Sequence, residues 1–184
     1  MQRKSLGRIL GFSLAVFLGL SQLGDERLYA RESETVMVRV TVTPALSISV
    51  SLATVPLNPV PAGGSVSSTT GVVVTNTGSG VNETLLLSLA NPTGWSAGAV
   101  PGVETFVLNG AFDVDGTGIT WDPSKQAILT TPVRADATRF AGDQTGASIP
   151  VAGARTLWFQ LRAPTATRVT TQQEIAITIT AELL

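Results

Sequence analysis

The sequence predicts an all-β protein, an antiparallel sandwich of two sheets. Three observations predict it. Apolar residues alternate with Thr, Ser and Arg along most of the chain, clusters of Gly, Pro, Asn and Ser interrupt that alternation at short intervals, and no stretch after the first 30 residues has a helical period. A strand with apolar side chains at every second position has one apolar face, and that face needs a second layer to cover it.

The longest alternation runs from Val36 to Leu52, with Val36, Val38, Val40, Val42, Leu46, Ile48, Val50 and Leu52 all on even positions. Pro44 cannot donate a ladder hydrogen bond. It divides the run into two expected strands, 35–43 and 45–53. Residues 56–64 read as a loop, and 65–76 as a strand centred on Val72, Val73 and Val74. Asn76-Thr77-Gly78-Ser79-Gly80 is turn chemistry, so 70–76 and 83–90 are expected to pair as a hairpin, with Leu85, Leu87 and Leu89 on one face.

A turn at 91–94 precedes Trp95. Strands are then expected at 104–112, over a short piece holding Ile119 and Trp121, and at 126–131. Residues 132–150 are polar and turn-rich, with no clear element beyond Arg139-Phe140. The strand at 156–162 points Leu157, Phe159 and Leu161 one way, and 174–183 does the same with Ile175, Ile177, Ile179, Ala181 and Leu183. The count is about nine or ten short strands, a spacing typical of immunoglobulin-like and jelly-roll sandwiches.

The first 30 residues read as an export signal. Arg3, Lys4 and Arg8 precede an apolar run from Ile9 to Leu20, and Ala30 suits the position before a cleavage site. That run is shorter than the roughly 20 apolar residues a membrane span needs. Residues 31–184 are then expected to form a single domain, secreted to the cell surface, the medium or a periplasm, with 31–43 as an exchangeable first strand. A domain of this size can bury a real core without disulfides, and the chain has no cysteine.

Composition narrows the chemistry. Without cysteine there are no thiolate metal sites, and without histidine no imidazole base for a serine nucleophile. From Arg31 onward eleven acidic residues face eight basic ones, with no runs. No basic stripe is present to neutralise phosphates, so nucleic acid is not an expected partner. No cationic amphipathic helix suggests that the mature chain enters a membrane. A net charge this small gives little repulsion between copies and favours self-association.

Three constellations carry candidate chemistry. Lys125 is the only lysine after the leader; it lies in a turn, which argues against both a Ser–Lys hydrolase and a lysine isopeptide crosslink. Carboxylates are numerous enough for glycoside hydrolysis, but none stands in a distinctive motif. Asp113-Val114-Asp115-Gly116-Thr117-Gly118, with Asp122, resembles part of a calcium loop, and reads equally as a hairpin turn. The third candidate is aromatic. Trp158 is out of phase with Leu157 and Phe159, so with Trp95 and Trp121 it could offer a platform for glycans, or be covered by a loop.

The flat, charge-poor strands expected at 35–43 and 174–183 are templates for pairing with another chain. With the leader and the all-β pattern, they resemble donor-strand pilins and TasA-like extracellular fibre subunits, although the cysteine pair common in such pilins is missing. Val72-Val73-Val74-Thr75-Asn76-Thr77-Gly78 is similar to immunoglobulin-like modules of bacterial surface proteins. The resemblance implies a non-enzymatic structural subunit, with Val36, Val38, Val40 and Val42 as the assembly strand and other surface proteins or its own copies as partners. A carbohydrate-binding or adhesive module is the alternative.

Overall fold

Ten strands and one helical turn follow Pro44. They are β1 (Ile48–Val50), β2 (Ser65–Ser67), β3 (Val72–Asn76), β4 (Glu83–Ala90), β5 (Ser96–Ala97), β6 (Thr105–Phe112), α1 (Pro123–Gln126), β7 (Ala127–Ile128), β8 (Val133–Arg134), β9 (Ala154–Arg162) and β10 (Ala176–Leu183). This computed structural model describes residues 37–41 and 43–183. The expected leader at 1–30, Val36 and Val42 lie outside the described residues. No helix among the described residues is long and apolar enough to cross a membrane.

The strands form two sheets. In the larger, β1, β3, β9, β6 and β5 lie in that order, with β2 also on β9 and β7 also on β6. The smaller runs β10-β4-β8. One core serves both. Val72, Val74, Phe106, Leu108, Leu157, Phe159 and Leu161 come from the first sheet, and Leu85, Leu87 and Leu89 from the second. This is the two-layer arrangement that the alternation demands. All ten strands belong to the unit Thr41–Leu184.

Several boundaries fall where the alternation puts them. The expected 83–90 is β4 to the residue, and 104–112, 156–162 and 174–183 are β6, β9 and β10 with small shifts. The departures all come from tertiary pairing. The expected strand 65–76 is two strands, β2 and β3, which both pair with β9. Between them the Ser68 hydroxyl accepts the Phe159 N–H at 3.1 Å, while the Ser68 N–H donates to the Phe159 carbonyl at 2.8 Å. The ladder is thus interrupted without leaving those groups unpaired.

The expected hairpin of 70–76 and 83–90 does not form, because β3 and β4 belong to different sheets. Asn76 explains the crossing. Its buried amide donates to the carbonyls of Val81 (3.2 Å) and Ile149 (2.9 Å), and its side-chain oxygen accepts the Gly78 N–H. These bonds carry the chain across the core instead of back along β3. Gly80, at φ +80, takes the backbone conformation the crossing needs.

Three smaller corrections follow. The sheets are not wholly antiparallel, since β5 pairs parallel with β6. No strand forms around Ile119 and Trp121. The polar region 132–150, read as lacking an element, holds β8 and places Ala135, Phe140 and Ile149 in the core.

The two expected strands around Pro44 are also changed. Of 45–53 only Ile48–Val50 is a strand, with Ala45 bridged to Ser79. Its even face is largely uncovered, with Leu46, Val50 and Leu52 exposed and Ile48 half-buried. The described part of 35–43, residues 37–41 and 43, is in no strand. Met37, Val38 and Val40 are 82%, 81% and 76% exposed.

Candidate functional site

β10 supplies the most unusual surface. It pairs with β4 over its whole length, from Ala176 opposite Ala90 to Leu183 opposite Glu83. Its other edge has no strand partner among the described residues. Along it Ile177 and Ile179 alternate with exposed Thr178 and Thr180. The isoleucines lean on the core beside Leu89 and Leu87, yet stay only half-buried, as does Ile175 just before the strand. A strand eight residues long, with no proline, lysine or bulge, lacks the usual protection of an open edge.

A second open edge lies nearby. β1 is the outermost strand of the larger sheet, paired only with β3 among the described residues. In the smaller sheet β10 lies on one side of β4. On the opposite side β8 and the chain after β7 close the layers, where the Leu89 N–H reaches the Leu129 carbonyl and the Ala135 N–H reaches Leu85. On the open side the layers meet at Glu83, whose backbone stands opposite Leu183 of β10 and whose carboxylate accepts the N–H of Ser47, just before β1, at 2.7 Å.

Glu83 is fully buried, and its second oxygen has no partner among the described residues. Such a half-satisfied carboxylate is uncommon in a folded interior. It pins the root of the segment that leads back through Pro44 to the exposed valines. Gly78 lies against it: a side chain there would collide with both the Glu83 carboxylate and the Ala45 carbonyl. Sequence reading missed Glu83, because an acid at the start of a strand looks the same whether solvated or buried.

Two of the three tryptophans are tied into loops by their indole N–H groups. The Trp158 indole N–H donates to the Asp113 carbonyl at 3.0 Å, and Gly116 lies directly over its ring. Trp158 does face away from Leu157 and Phe159, as its phase requires, but the 113–118 loop covers part of it. Trp95 stands 6.0 Å from Phe106, ring to ring, and donates to the Thr167 hydroxyl at 2.9 Å. Trp121 is half-buried just ahead of α1.

The three candidate calcium ligands all serve as turn caps. Asp113 Oδ1 accepts the N–H groups of Asp115 (3.3 Å) and Gly116 (2.9 Å), and Oδ2 accepts that of Asp143. Asp115 accepts both the N–H and the hydroxyl of Thr117, and these bonds hold its carboxyl below the usual range. Asp122 caps α1 through the hydroxyl and N–H of Ser124, with the same effect on its acidity. An open groove of about 590 Å³ runs beside Asp113, Asp115 and Asp143, without Asp122 in its lining. No cluster of three or more metal-ligating side chains exists among the described residues.

Lys125 extends into solvent 3.7 Å from Asp122, and both side chains are well exposed. No protein-family model, curated protein or solved structure matches the chain. The geometry therefore carries the functional argument alone.

Proposed function

We propose that this chain is a non-enzymatic structural protein, secreted and built as an immunoglobulin-like sandwich, that forms filaments or surface assemblies by β-strand addition. One observation carries the reading: an eight-residue edge with half-buried isoleucines and no strand partner among the described residues and, in the same chain, a run of alternating valines of which Val38 and Val40 are exposed. An edge of unpaired N–H and C=O groups gains main-chain hydrogen bonds when an extended segment adds to it, and alternate side chains then fill the open flank of the core.

The composition supports this. The chain has no imidazole or thiol, and its low net charge gives little repulsion between copies. The leader and the alternating valines point to work done outside the cytoplasm through contact surfaces.

The test compares residues 31–184 with residues 44–184 by size-exclusion chromatography and negative-stain microscopy. The longer chain is expected to assemble as concentration rises, and the shorter to remain a monomer. A longer chain that stays monomeric at high concentration ends the reading.

A further inference from the structure

Resting on that reading, we infer that the acceptor is the free edge of β10, and that the occupant is the Val36–Val42 segment of a second copy. Two edges are open, and they are not equivalent. β1 is three residues long, whereas β10 offers eight, enough to pair the whole of that segment.

The side-chain match also favours β10. Val36, Val38, Val40 and Val42 recur every second residue, the spacing of Ile175, Ile177 and Ile179. Paired beside β10, one face of the incoming strand lays its valines against those isoleucines and completes their burial. Burying apolar side chains stabilises in proportion to the area removed from water, and four valines on one face offset the cost of ordering the segment.

Charge selects the same occupant. Arg39 is the only charged side chain in 36–42; Glu174 stands just before β10, and Glu182 near its end is already paired with Arg134 of β8 at 2.7 Å. The added strand brings a cation to an edge whose own flanking charges are acidic, with Glu174 in no ion pair among the described residues. The competing arrangement, antiparallel pairing of β10 with β10 of another copy, moves the Glu174 of each copy toward the Glu182–Arg134 pair of the other and brings no cation to Glu174. Donor and acceptor are moreover different surfaces of one molecule. Such an interface is heterologous and propagates as an open chain unless it closes into a ring.

The absence of cysteine makes a direct test available. Met37 lies on the face opposite the valines, and Thr178 and Thr180 on the face opposite the isoleucines, so each can carry a single cysteine outside the buried seam. M37C is mixed in turn with T178C, T180C and, on β1, S49C, under mild oxidation. Disulfide-linked pairs between M37C and the β10 variants are expected, with none to S49C. The charge reversal R39E is expected to lower the assembled fraction several-fold.

Assembly that persists with crosslinks to S49C alone, or to neither edge, overturns the assignment of β10 and leaves the proposed function standing. T180C pairs that still form in chains starting at residue 44 show β10 joined to β10, which also overturns it. A dilute M37C/T180C double variant that closes only within one chain shows self-pairing. Loss of all assembly in the unmodified chain strikes the proposed function instead.

Discussion

The Ser47 N–H donates to the Glu83 carboxylate at 2.7 Å, across 36 positions of sequence and between the two sheets. This bond holds the root of β1 to the start of β4, at the end of the sandwich where β10 finishes. It places a buried acid, half satisfied, at the point where the exposed segment joins the body.

Replacing Glu83 therefore separates two effects. Glu83→Ala removes the acceptor for Ser47 and empties a buried site, and it is expected to cost about 2–4 kcal/mol. Glu83→Gln keeps an oxygen for Ser47 at nearly the same volume, so its stability is expected to stay within about 1 kcal/mol of the parent. Urea unfolding of both variants measures this. An equal loss in the two would show that the acceptor for Ser47 is not what holds the site.

Gly116 and Gly118 make a matched pair in the loop over Trp158. Both have positive φ, +73 and +74, but a side chain on Gly116 would stand 2.5 Å from the indole, whereas nothing lies within 4 Å at Gly118. Gly118→Ala should cost about 1 kcal/mol from backbone strain alone. Gly116→Ala should cost about 1–3 kcal/mol and shift the tryptophan emission as the loop lifts from Trp158. Equal losses with unchanged emission would mean that the loop does not rest on the ring.

Calcium bears on the same loop. A cation at Asp113 would have to displace the three backbone N–H groups that its carboxylate accepts. Millimolar calcium is expected to leave the melting temperature of the protein unchanged. A rise of more than about a degree, abolished by Asp113→Asn, would show that these oxygens prefer the ion to their own turn.

The pH profile of stability is set by exposed caps. Thr167 and the Arg168 N–H hold Glu104 below its ordinary value, Ser124 holds Asp122, and the N–H groups of Thr117 and Thr138 hold Asp115 and Asp136. In each case the folded form binds its proton at lower pH than the unfolded chain. The stabilisation is complete above the ordinary carboxylate range, and it fades as pH falls through the lowered folded values. With no histidine in the chain, the melting temperature is expected to be flat from pH 8 to about 5.5 and to drop in more acidic buffer. A drop between pH 8 and 6 would point to a group outside this set.

Local alternation was enough to place β4, β6, β9 and β10, because side chains on a strand point to opposite faces in turn and the apolar set must go inward. It could not choose partners. β3 and β4 look like a hairpin over any window of sequence, and only the bonds of the Asn76 amide to Val81 and Ile149 send them to different sheets. The same limit hid Glu83, whose burial depends on β1 and Gly78 closing over it.

By itself the sequence determined the class of the protein, an all-β body without imidazole or thiol, and the inward face of its long strands, since period and composition are local properties. The tertiary structure alone decided which edges stay open, which tryptophan a loop covers and which acid is buried. Those depend on contacts between residues tens of positions apart, such as Gly116 over Trp158 and Ser47 on Glu83, and a repeating pattern carries no record of the distance at which its partner lies.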